Sequence, residues 1–343
     1  MRELVLAVFL VGVLVTFHEL GHFLAGRSKG VYVHEFAIGM GPVLFSRQSG
    51  ETKYSLRVIP IGGFTRFAGE DSLSKDEDAL IPRERLLGTQ SPGRRAFIVF
   101  AGPLANLLIA SVAFFAVFSF VGLNQPTTTL SEVMAGYPAE KAGIKPGDTV
   151  VSVAGIATPT WEDMTVAVQP RAGQTTVIEV RRGTEILRLT VTPIDVNGVG
   201  VIGVRPSFVV RRMNPVAGLL RGLKETAIVS ALWVRGIVGM LVGKVAPEVT
   251  GPVGIAQILG EAAKTGMGEL LYLFGALSAN IALINLMPVP ALDGSRLVFA
   301  GVEAIRGKPI DPEKESLVHF VGFFMLMVLF AVITYKDILR LIR

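Results

Sequence analysis

The chain of 343 residues is 50% hydrophobic and only 18% charged, with a mean hydropathy of +0.54, which moves it away from soluble globular domains and toward integral membrane proteins. Its net charge of +5 comes without a Lys/Arg stripe interleaved with aromatics, so nucleic acid is not an expected partner and loops facing anionic lipid are. With no cysteine, disulfides, thiolate zinc sites and cysteine nucleophiles are excluded.

The first predicted element is an apolar helix over residues 4–25, long enough to cross a bilayer and longer than a secretory signal core. It contains His18-Glu19-Leu20-Gly21-His22. Residues four apart share a helix face, so His18 and His22 can converge on one metal ion, and Glu19 falls beside them as a general base. The alternative is two histidines at a helix interface, but two imidazoles and a carboxylate are costly in hydrocarbon without a partner.

Residues 26–95 are strand-like and carry eleven Lys/Arg, which places this loop in the cytoplasm and the N-terminus outside. Within it, residues 52–67 alternate partially around Gly62-Gly63 and predict a β-hairpin dipping toward the membrane. An unpaired edge there, through Tyr54, Leu56, Val58, Ile59, Gly62 and Gly63, could hold an extended substrate beside the metal; an ordinary cytoplasmic hairpin is the other reading. A second span follows over residues 96–121.

Residues 124–207 break into short β-rich runs at 149–154, 176–181 and 187–192, separated by Gly, Pro and Asp turns, and predict a small extracytoplasmic β-barrel-like domain. Its Gly136-Tyr137-Pro138 through Gly147-Asp148-Thr149-Val150 stretch, followed by Val153-Ala154-Gly155 and Trp161, resembles the PDZ domains of bacterial envelope proteases. That resemblance implies capture of a peptide or protein ligand at a sheet edge; a folded spacer is the alternative.

Residues 226–243 are apolar apart from Arg235. A surface amphipathic helix is the preferred reading, on geometric grounds. His18 lies about 21 Å along the first helix from residue 4, in the cytoplasmic half of the bilayer, and only an inward-running third span ends at that depth. The third span, residues 270–287 with its continuation, ends in Asn285-Leu286-Met287-Pro288-Val289-Pro290-Ala291-Leu292-Asp293-Gly294. Two prolines break the helix, and broken backbone at membrane depth survives only in protein or beside a water-filled cavity. Asp293 needs a partner there, and a metal held by His18 and His22 is a better one than a helix end. Asn280 and Asn285 offer amides either to an extended substrate strand or to a neighbouring helix. The fourth span covers residues 317–335.

Two histidines and one carboxylate leave the fourth tetrahedral position of zinc open, as in catalytic sites, and with Glu19 as base the chemistry is peptide hydrolysis. A non-catalytic membrane adaptor and a zinc transporter are competing readings. Intact Glu19 and Asp293 argue against the first, and a single ligand cluster argues against the second.

These motifs, with Phe36 through Pro42, Pro60 through Asp71 and Phe100-Ala101-Gly102-Pro103-Leu104-Ala105-Asn106, resemble the site-2 protease family of intramembrane zinc metalloproteases, in its bacterial RseP-type branch. The resemblance spans nearly the whole chain. It implies one Zn2+ per chain on His18, His22 and Asp293, Glu19 as catalytic base, and substrate contacts at Asn285, Asn280 and the β-loop. It also implies cleavage within single-span membrane proteins such as anti-sigma factors or remnant signal peptides, in a multi-pass protein of the bacterial cytoplasmic membrane. The expected organisation is residues 1–123 with two spans and the β-loop, 124–207 as the PDZ domain, 208–268 as linker helices, and 269–343 with two further spans. The chain departs from the best-known members in having one PDZ-like unit and in ending with Lys336, Arg340 and Arg343 on the outer side. His34 and His319 match no metal pattern of the family and are read as structural or surface residues.

Overall fold

The computed structural model describes residues 2–70, 75–244 and 250–342; Met1, Asp71 and Arg343 lie outside them. In chain order the main elements are α1 (Arg2–Ser28), β1 (Val33–Ser49), β2 (Thr52–Phe67), α2 (Pro92–Ala116), β3 (Leu123–Val133), β4 (Thr149–Val153), α3 (Trp161–Val168), β5 (Thr176–Arg182), β6 (Glu185–Val191), β7 (Val204–Arg211), α4 (Pro215–Leu241), α5 (Pro252–Thr265), α6 (Met267–Asn285), α7 (Asp293–Arg306) and α8 (Pro312–Ile342). They form two compact units, Met1–Val121 with Met213–Arg343, and Gly122–Arg212.

In the first unit, four helices among the described residues are long and apolar enough to cross a membrane: Arg2–Ser28, Pro92–Val121, Met267–Asn285 and Lys314–Arg340. A helix satisfies its backbone polar groups internally, which hydrocarbon requires. Pro103 inside α2 is buried in the unit rather than facing outward, the setting in which a spanning helix tolerates a proline. Helix α4 is not among the four. It carries Arg221, Lys224, Glu225 and Arg235, and its first half runs antiparallel to the end of α2. There Gly218 meets Ser119, Gly222 meets Phe115 and the Ser111 carbonyl, and the Thr226 and Ser111 hydroxyls are 3.0 Å apart.

Strands β1 and β2 do not form the simple hairpin expected. Each bends, so residues 35–38 of β1 pair on one side with residues 53–56 of β2 and on the other with residues 63–66, while residues 43–49 pair with residues 52–57. The result is a small sheet of four runs, in which residues 35–38 and 53–56 at the centre run the same way and each is flanked by an antiparallel run. Gly39, Gly41 and Gly62 supply the positive φ values of 83°, 84° and 78° that the bends require. The edge therefore differs from the one expected. Tyr54 pairs with both Phe36 and Arg47, and Leu56 with both Ile38 and Phe45, so neither has a free backbone edge. Val58 and Ile59 lie in the bend, and the run beginning at Gly62-Gly63 forms one outer edge.

That outer run lies alongside α1 in parallel. Gly12 meets the Pro60 carbonyl, the Thr65 hydroxyl donates to the Glu19 carbonyl at 3.1 Å, and Gly26 meets the Phe67 ring. Fourteen helical steps and seven strand steps each cover about 21–23 Å, so helix and strand stay in register over this length.

The second unit is an antiparallel sheet in the order β7–β3–β4–β5–β6, with α3 over a core that includes Leu130, Val150, Val153, Met164, Ile178 and Val180. The Ala142–Asp148 turn of the sequence motif has a plain physical basis. Gly143 and Gly147 sit at φ 80° and 91°, and Asp148, only 1% exposed, accepts from Arg182 Nε and Nη2 at 2.8 Å each and from the Lys145 amide at 2.8 Å. The Arg182 guanidinium holds the Asp148 carboxyl below its ordinary pKa against the opposing effect of burial. A depressed carboxyl contributes stability that is complete above its unfolded pKa, about 4, and is lost as pH falls through the lower folded value. Hydrogen exchange on the whole protein is expected to show protection of β3–β6 falling selectively below about pH 4, and Arg182→Leu is expected to lower it already at neutral pH, because Asp148 then keeps its buried carboxylate without the cation.

Candidate metal centre

Helix α1 brings His18 and His22 to one buried face, where their rings meet edge-on at 4.7 Å. Asp293 arrives from the first residue of α7. Its Oδ2 lies 2.9 Å from His18 Nε2 and 3.3 Å from His22 Nε2, and the two Nε2 atoms are 3.1 Å apart. Among the described residues these three form the one group of His, Asp and Glu side chains arranged to hold a metal ion.

Three observations test the fit to zinc. Ligand atoms on a tetrahedral zinc, at bond lengths near 2.0–2.1 Å, are separated by about 3.3 Å, and all three edges fall within a few tenths of an ångström of that. Asp293 Oδ2 is buried and makes no well-directed hydrogen bond despite two nitrogens within reach, as expected of lone pairs converging on a common point. Finally, Gly102 of α2 lies directly over the imidazoles. A Cβ there would sit 2.3 Å from His22 Nε2 and 2.9 Å from His18 Cε1, so only glycine leaves the space beside the ligand nitrogens open. The set of two nitrogens and one oxygen suits zinc and leaves a fourth position for water or substrate.

The tautomer of His22 follows from its surroundings. Its Nδ1 lies 2.9 Å from the Ile98 carbonyl, which can only accept, so Nδ1 carries the proton and Nε2 presents a lone pair. Glu19 is half-buried one residue from His18, and its backbone carbonyl is held by Thr65 of the outer strand.

The position of Asp293 is over-determined. Between α6 and α7 the backbone doubles back so tightly that a Cβ on Gly294 would meet the Met287 and Leu286 carbonyls at 2.2 and 2.4 Å. Ala291 adopts φ 75°, unusual for a residue with a side chain, and its amide donates to His319 Nδ1 of α8 at 3.1 Å. One turn beyond Asp293, Arg296 donates to Glu70 at 2.5 Å, and Glu303 pairs with Arg95 at the start of α2. Loop, α2 and α8 thus each grip a different point of the segment that carries the carboxylate.

The family model described as Peptidase family M50 matches residues 6–329. The chain belongs to that family. The M50 peptidase is 35% identical to a provisionally named zinc metalloprotease of Clostridium acetobutylicum over 98% of this chain and 97% of the relative. It is also 31% identical to the zinc metalloprotease RasP of Oceanobacillus iheyensis over 99% and 100%, and 30% identical to the regulator of sigma-W protease RasP of Bacillus subtilis over 97% of each chain. It is therefore a multi-pass membrane zinc metalloprotease of the site-2 protease family.

Of the residues singled out in the sequence, His18, His22 and Asp293 come together beside Glu19. Asn280 and Asn285 lie on α6 leading into the break. Among the described residues no hydrogen bond ties either to the cluster, and Asn280 Oδ1 is buried without a partner. His34 pairs with Asp78 at 2.8 Å and stands apart from the cluster, as does His319. The site in the folded protease also depends on Gly102, the Ile98 carbonyl and the Arg296–Glu70 pair, to which the sequence reading assigned no role. Gly102 was visible only as part of a motif, because close approach of two helices is not written in either one alone. Both Asp293→Ala and Gly102→Ala are expected to release zinc under chelator competition that leaves the unsubstituted protease loaded, with retained helical content by circular dichroism.

Proposed function

We propose that the protease hydrolyses peptide bonds within the membrane-spanning segments of single-span proteins, with His18, His22 and Asp293 as zinc ligands and Glu19 as general base. The single observation that carries this reading is the convergence of His18 and His22, on a helix of membrane-spanning length, with Asp293, which follows the break after another such helix. A bound zinc supplies Lewis acidity, acidifying water and polarising the scissile carbonyl. Glu19 accepts the proton of the attacking water and delivers it to the departing amine, so that one carboxylate serves both halves of the exchange.

A substrate helix must unwind first, because its carbonyls are engaged in backbone hydrogen bonds. The outer run of β2 from Gly62 to Phe67 supports a way to hold it. This edge runs beside α1 at the level of Glu19, and an extended segment added to it would lie along the ligand-bearing helix. Asn285 and Asn280, at the end of α6, are suited to hydrogen-bond such a strand. In this reading Gly62 and Gly63 contribute backbone, while Tyr54 and Leu56 support the sheet from within.

The charge of residues 26–95 supports a cytoplasmic position for the β-loop, an extracytoplasmic N-terminus and an active site in the cytoplasmic half of the bilayer of the bacterial inner membrane. Unit Gly122–Arg212, with its antiparallel sheet and glycine-shaped turn before β4, is proposed as a PDZ domain that binds peptide or protein outside the membrane. The name of the Bacillus subtilis relative, regulator of sigma-W protease, supports substrates of the anti-sigma class.

The test is cleavage of a model single-span substrate by the full-length protein in detergent. Glu19→Gln is expected to lower the rate by about 10²–10⁴-fold with zinc content unchanged, and chelation is expected to abolish cleavage until zinc is restored. Equal cleavage by Glu19→Gln and the unsubstituted protein, or dependence on neither zinc nor Glu19, would overturn the assignment.

A further inference from the structure

The two histidines of the metal centre are not equally provided for. His22 has a carbonyl acceptor for its Nδ1 proton; the group that faces His18 Nδ1 is the side-chain amide of Asn106, on α2, with Nδ2 at 3.5 Å. With nitrogen toward the ring, the amide can only donate. Nδ1 would then be the acceptor and the ring proton would sit on Nε2, aimed at His22 Nε2 and Asp293 Oδ2, where it blocks ligation. In the same arrangement Asn106 Oδ1 is fully buried and has no partner.

One rotation of the amide removes both conflicts. The oxygen and nitrogen of an asparagine side chain occupy nearly the same positions after a half-turn, so their assignment is decided by the hydrogen-bond network. Turned about, Oδ1 accepts from His18 Nδ1–H, the buried oxygen gains its partner, and Nε2 is left with a lone pair for the metal. Asn106 is also well held. It is completely buried, and its backbone carbonyl accepts from the Ser278 hydroxyl of α6 at 2.7 Å, which ties α2 to α6 at this level.

We infer that Asn106 is a positioning residue of the metal centre: through Oδ1 it fixes His18 as the Nδ1-protonated tautomer and so presents Nε2 to zinc. The two imidazoles then receive matching support from one helix, His22 from the Ile98 carbonyl and His18 from the Asn106 side chain two turns on. Acceptors of this kind orient the ring and raise its basicity, and their loss lowers metal affinity by about 10–100-fold. The inference rests on the proposal that His18, His22 and Asp293 bind the metal.

The experiment measures zinc affinity by chelator competition on the full-length, detergent-solubilised protein, with zinc alone as the probe. Asn106→Ala removes the acceptor and Asn106→Asp keeps one. The expected result is a 10–100-fold weaker zinc affinity in Asn106→Ala and an affinity within about threefold of the original, or tighter, in Asn106→Asp. Unchanged affinity in Asn106→Ala overturns the inference, as does a loss in Asn106→Asp equal to that in Asn106→Ala, which would mark the side chain as packing only. Asp293→Ala separates the two levels. If it leaves zinc affinity intact, the site assignment itself has failed; if it abolishes binding while Asn106→Ala does not weaken it, the role of Asn106 alone is refuted.

Discussion

A carboxylate and two imidazoles set among apolar helices are tolerable only if they satisfy one another or a shared ion, and that requirement organises the membrane unit. His18 and His22 come from the start of the chain and Asp293 from near its end, so the cost of leaving any one of them unpartnered links the first helix to the last third of the sequence. Small errors matter here. Ligand atoms a single ångström too far apart could not share a metal, and accordingly the segment carrying Asp293 is gripped at several independent points: the doubled-back backbone at Gly294, the Ala291–His319 hydrogen bond, and the Arg296–Glu70 and Arg95–Glu303 pairs. Glu303 is buried against Arg95 while Arg296 stays partly exposed beside Glu70, and in neither setting does an ion pair add much net stability, so the two serve to define position.

Helix α1 is the element against which the rest of this unit is placed. Three of its glycines are contact points at different heights: Gly12 and Gly26 toward the outer run of β2, and Gly21 toward the Ala101 carbonyl of α2. Between membrane helices there is little hydrophobic driving force, and close backbone approach through small residues supplies packing in its place. Gly21 and Gly102 let α1 and α2 approach around His18 and His22, which explains how α2 can offer a carbonyl, a side-chain amide and an open face to two histidines at once. The bent sheet uses glycine differently, for backbone angles, and its bends convert two long strands into a compact four-run sheet with an edge beside α1.

Much of this was legible in the residues themselves. Span number followed from runs of about 20 apolar residues, since the thickness of hydrocarbon dictates helix length directly. The pairing of His18 with His22 followed from helical periodicity, and the exceptional character of residues 285–294 from two prolines and a carboxylate at membrane depth. The turn at Gly143–Asp148 was also readable, because positive φ and a buried acid leave a recognisable pattern. The β-loop was read less well. Its alternation suggested one hairpin, but Gly39, Gly41 and Gly62 bend both strands, and a pairing in which one run is flanked on both sides carries no local signature. Tyr54 and Leu56 therefore lost the free edge expected of them.

The sequence by itself determined which residues could ligate a metal, how many helices could cross a membrane, and where the backbone must break, because each of these depends on side-chain chemistry or on a period within one element. Only the tertiary structure decided that Asp293 lands at the height of His18 and His22, that Gly102 keeps the space beside them open, and that Ile98 and Asn106 face their outer nitrogens. Those are relations between elements far apart in the chain. They are set by how closely two helices approach and by the register at which they cross, quantities that no single stretch of residues contains.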